Sequence, residues 1–131
     1  MLLRAKDMQT LLQIFSTVNL PVEIWAYGSR VSGSAHEGSD LDLVIRSQHL
    51  AQLPLGLVDQ LSEKIRDSNI PILVELRDWA MLPESFHRNI EQHYEVLFDN
   101  QKVVEQADQQ HILYEPLAKY KAKPKDINPD N

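Results

Sequence analysis

The chain contains no cysteine, so disulfides and thiolate metal sites are excluded. It also lacks any apolar run approaching the ~20 residues that a membrane span requires. The opening Met-Leu-Leu-Arg-Ala-Lys-Asp has no signal-peptide core. A cytoplasmic protein without membrane partners is expected. Positive charge is in deficit: 13 Lys and Arg face 19 Asp and Glu, for a net charge of −6. General nucleic-acid affinity comes mainly from Lys and Arg neutralising phosphates, so direct nucleic-acid binding is not expected. The acid surplus instead leaves room for a divalent cation to bridge protein and phosphate. No internal repeat is present. A length of 131 residues, 43% hydrophobic and 24% charged, allows one globular domain with a modest core.

Periodicity divides the chain into alternating helices and strands. Met8, Leu11, Leu12, Phe15 and Val18 recur at helical spacing, so residues ~6–18 read as an amphipathic helix. Val22 to Tyr27 is short, β-branched and aromatic, and reads as a strand. Gly28-Ser29 is a turn signal, with Ser29 a suitable N-cap for a short helix from Arg30. Asp40 to Arg46 reads as a second strand. Pro54 suits the first turn of a helix that carries Leu57, Leu61 and Ile65 to about Asp67. Ile72 to Leu76 is a third strand. Pro83 starts a last helix with Phe86 and Ile90 on one face, and Val96 to Phe98 closes the domain. This order predicts an α/β (α+β) fold, a small mixed sheet flanked by helices. Residues 1–98 form the domain and 99–131 a C-terminal extension, its last ~15 residues a poorly ordered tail. The Lys119 to Lys125 run in that tail reads as solvated.

Asp40 and Asp42 are the most informative pair. In a strand, residues i and i+2 share a face, ~6.5–7 Å apart, with Leu41 and Leu43 turned to the core. Two adjacent carboxylates repel, and burying either without a partner is costly. A divalent cation between them reverses the balance. Mg²⁺ suits the role, because it takes hard oxygen ligands and borrows some from substrate phosphates. An isolated Asp-x-Asp is usually a solvated strand end, and Gly-Ser after a strand is usually a plain turn. Here the two stand together: Gly28-Ser29, ten residues, then Asp40-Leu41-Asp42.

That spacing matches the Gly-Ser-x10-Asp-x-Asp signature of the DNA polymerase β-like nucleotidyltransferase superfamily. The stretch from Trp25 to Leu43 closely resembles the minimal nucleotidyltransferases (MNT proteins), single-domain partners of helical HEPN proteins in two-gene pairs. The resemblance spans residues 5–98. It implies that Gly28 and Ser29 hold the triphosphate. It further implies that Asp40 and Asp42 bind two Mg²⁺ ions and that Glu75 is the third acid, which helps to activate the acceptor hydroxyl. The family usually has Asp at the Glu75 position. Arg30 follows the Ser either as a phosphate contact or as an ordinary surface arginine. Asp78 faces away from Glu75 and reads as a cap. Trp25 and Tyr27 read as packing residues, and Phe86, Ile90 and Tyr94 as a core stripe. The implied activity is transfer of AMP from ATP to a hydroxyl of a HEPN partner, in a hetero-oligomer. The chain would then be the antitoxin of a type VII-like toxin–antitoxin pair. The alternative is a catalytically weak nucleotide-binding subunit that neutralises or assists its partner by complex formation.

Overall fold

A computed structural model describes residues 1–101. The expected tail, with Lys119 to Lys125, lies outside the described residues. Four helices and four strands alternate in the compact unit Met1–Asp99. Helix α1 (Ala5–Phe15) leads into β1 (Val22–Tyr27), a single turn α2 (Ser29–Ser32) and β2 (Leu41–Ser47). Then come α3 (Leu57–Arg66), β3 (Val74–Asp78), α4 (Glu84–Gln92) and β4 (Glu95–Asp99). The sheet order is β3-β2-β1-β4. β1 runs antiparallel to β2 and β4, while β2 and β3 are parallel. A parallel pair needs a crossover, and α3 supplies it. The sheet is therefore mixed and flanked by helices, as its alternating pattern predicts.

Both faces of the sheet are covered, and strand alternation decides what lies on each. Ile24, Ala26, Leu41, Leu43, Ile45 and Leu76 point to one side and pack with Leu11 and Phe15 of α1 and Leu61 and Ile65 of α3. On the other side Trp25, Tyr27 and Val44 pack with Trp79, and with Ile90 and Phe86 of α4. Tyr94 stacks on Trp25 at 3.8 Å between ring centroids, though 40% exposed. The Arg46 guanidinium lies over both Trp25 (3.9 Å) and Trp79 (4.4 Å) and pairs with Glu23. That cation–π layer closes one end of the second face. The other end carries the acids. No helix among the described residues is long and apolar enough to cross a membrane.

Several boundaries differ from the sequence reading. Ser29 is the first helical residue and Gly28 the N-cap, with no side-chain cap bond. Gly28 takes φ +80°, ψ −159°, a region essentially restricted to glycine. α3 begins at Leu57 behind Gly56, three residues after Pro54. The third strand sits two residues later than expected, Val74–Asp78, because Leu41 N–H bonds to the Leu73 carbonyl and pairing starts from there. Asp78 is a cap, as anticipated: its carboxylate accepts from the Ala80 and Leu53 amides.

Candidate active site

The register of the sheet assembles the site. Tyr27 stands opposite Asp42 in the antiparallel pair, and Glu75 stands beside Asp42 in the parallel pair. Three strands thus deliver Tyr27, Asp42 and Glu75 to one end of the same face. Asp40 shares Asp42's parity just ahead of β2 and is exposed, whereas Asp42 is half-buried. The two-acid strand and the third acid, far apart in sequence, are neighbours as expected.

Asp42 carries the strain of this arrangement. Burial raises its pKa, and the nearby charges of Glu75 and Asp40 raise it further; Arg77 partly counters them. Burial also raises the Tyr27 hydroxyl, again with Asp42 contributing. A half-buried carboxylate held next to two others lacks enough positive charge, which is the condition that a cation would relieve. The turn after β1 presses on the same group. A Cβ added to Gly28 would overlap Asp42 Oδ2 and lie 3.3 Å from its Cγ. Only a bare backbone comes this close to the carboxylate. Within α2, the Val31 and Ser32 amides bond to the Gly28 carbonyl. The Ser29 and Arg30 amides, at the start of the turn, have no acceptor among the described residues. Free first-turn amides are ready partners for an anion.

Arg30 corrects one expectation. Its side chain is 5% exposed and donates to the carbonyls of Leu2 (2.6 Å), Glu37 (2.8 Å) and Ser39 (2.9 Å). The guanidinium staples the N-terminus and the 33–40 loop to α2. It is not a surface arginine, and its side-chain donors are engaged by carbonyls. Glu75 brings a second difference. Its Oε1 accepts from Arg77 at 3.0 Å. No group of three or more His, Cys, Asp or Glu side chains among the described residues is drawn together as a metal site. Sequence reasoning missed Arg77, although its position two residues beyond Glu75 puts it on the same strand face. Tyr27 is both things at once. Its ring packs edge-on against Phe86 at 6.0 Å, while its hydroxyl lies within the electrostatic reach of Asp42, Arg77 and Glu75.

Asp42, half-buried beside Glu75 and Asp40 and against a glycine turn with open amides, is an arrangement that suits a cation shared with phosphate. The class is that of a nucleotidyltransferase. The polymerase beta nucleotidyltransferase model matches residues 9–103, and the chain belongs to that family, in its minimal (MNT) branch. A probable protein adenylyltransferase MntA of Haemophilus influenzae is 42% identical over 84 residues, 63% of this chain and 70% of the relative. Among solved structures, a toxin–antitoxin with AMP-PNP superposes with a TM-score of 0.53 at 20% identity, covering 85% of this chain and 96% of that one. A tri-AMPylated Shewanella oneidensis HEPN toxin in complex with an MNT antitoxin gives 0.50 at 16% identity, covering 82% and 93%. At such identities these structures speak for the fold.

Proposed function

We propose that this protein transfers AMP from ATP to a hydroxyl of a HEPN partner and thereby acts as an antitoxin in the cytoplasm. The observation that carries the reading is Asp42, half-buried within reach of the charges of Glu75 and Asp40 and pressed by the Gly28 turn. The relatives support the particulars: the Haemophilus protein is a probable protein adenylyltransferase, and the structural neighbours include toxin–antitoxin complexes, one with AMP-PNP and one with a tri-AMPylated toxin.

The chain's residues divide the work. The Ser29 and Arg30 amides receive the triphosphate. Asp40, Asp42 and Glu75 are the oxygen donors that fit Mg²⁺. Bound there, Mg²⁺ would neutralise charge on the phosphates and on the attacking and leaving oxygens. The acceptor oxygen attacks the α-phosphorus in line and loses its proton toward Glu75. The bond to the bridging oxygen breaks, and pyrophosphate departs. Positioning and charge neutralisation supply the rate, as in other phosphoryl transfers.

One observation favours a second reading. Glu75 shares one of its two carboxylate oxygens with Arg77, and a third acid so engaged would fit a slow enzyme that works by complex formation. Purified with its partner and given α-labelled ATP, the protein is expected to label that partner and to stop doing so as Asp42→Ala. Neutralisation of the partner that survives both Asp40→Ala and Asp42→Ala would leave only the binding role.

A further inference from the structure

A cavity of about 230 Å³ lies between the Gly28 turn and α4, lined by Tyr27, Gly28, Phe86, Asn89, Ile90 and His93. Phe86, Asn89 and Ile90 follow the i, i+3, i+4 rhythm of one face of α4, and His93 caps its C-terminal end. Ile90 is buried as the base of that face, while Phe86 is only half-buried and Asn89 and His93 are exposed. The Asn89 amide and the His93 ring have no hydrogen-bond partner among the described residues. No Lys or Arg lines the cavity, so it is not built for phosphate. An aromatic wall beside a free carboxamide suits a flat heterocycle. Aromatic rings stack on any base, and a carboxamide offers the paired donor and acceptor that adenine's edge complements.

Its position tells which reactant it serves. Gly28 belongs both to the cavity and to the turn that presses on Asp42. The cavity is therefore on the β1 flank of Asp42, while Glu75, the acid assigned to the acceptor, is on the β3 flank. With the α-phosphate at Asp42, one flank is left for the nucleoside and the other for the incoming hydroxyl.

We propose that the cavity between Gly28 and α4 holds the nucleobase, with Phe86 as its stacking wall and Asn89 reading its edge. This rests on the nucleotidyl-transfer reading and adds the residues that choose the base. The test measures ATP and inorganic tripolyphosphate binding to the full chain with Mg²⁺. Asn89→Ala, an exposed change that leaves the fold alone, and Phe86→Leu should each weaken ATP about tenfold. Tripolyphosphate, which has no base, should bind both variants like the wild type. ATP binding unchanged in both variants overturns the nucleobase site and leaves the transfer reading standing. Wild-type protein that takes up no ATP overturns both. An Asn89→Ala protein that binds ATP normally but needs more of the acceptor for half-maximal transfer assigns the cavity to the acceptor and refutes the proposal.

Discussion

Replacing Gly28 by alanine perturbs two things that can be separated. The first is backbone strain. At φ +80°, ψ −159° an L side chain costs roughly 1–3 kcal/mol, and each kcal/mol is worth roughly 4–8 °C of Tm in a domain of this size. The second is a collision. The new methyl overlaps Asp42 Oδ2 and sits 3.3 Å from Cγ, so the carboxylate must swing aside by roughly 1 Å, a misplacement that costs about 10²-fold in rate. Gly33→Ala is the control: Gly33 also has a left-handed φ (+95°), but an added Cβ meets nothing within 4 Å. Both variants should melt earlier by thermal denaturation. Transfer of label from α-labelled ATP to the partner should collapse in Gly28→Ala and persist in Gly33→Ala. Equal transfer rates in the two would mean that Asp42's position does not matter to the reaction, and the assignment of the site would be wrong.

Other expectations follow from the same geometry. Asp42's raised pKa means that the folded state holds its proton to higher pH than the unfolded chain does, so metal-free stability falls as pH rises through that titration. Asp42→Asn should therefore melt later than wild type in chelator, by a margin that widens from about pH 4 to about pH 7, while losing transfer; a margin constant with pH contradicts the assigned cause. Arg30→Met removes three donors from part-buried carbonyls and should destabilise by about 2–4 kcal/mol in denaturant titrations, with ATP affinity of the remaining folded protein nearly unchanged. A selective loss of ATP binding would return the guanidinium to the phosphate. Glu75→Gln should slow transfer by about 10²-fold yet still bind ATP, as followed by single-turnover labelling and equilibrium binding side by side; loss of both together argues that Glu75 has only a structural part.

The Gly28-Ser29 turn, the Asp40–Asp42 pair and the alternating order of helices and strands were open to reading because their physics is local. A strand's parity sets which residues share a face, glycine permits a turn that other residues resist, and apolar spacing declares each amphipathic helix. Val22 to Tyr27 was legible to the residue for that reason. Register and the destinations of long side chains were decided elsewhere. Nothing near Arg30 announces that its guanidinium will be taken up by carbonyls from Leu2, Glu37 and Ser39, because the loop brings them together only on folding. The Glu75–Arg77 pair and the placing of α4's Phe86 and Asn89 beside Gly28 likewise depend on how distant segments dock, through contacts that no short window of sequence contains.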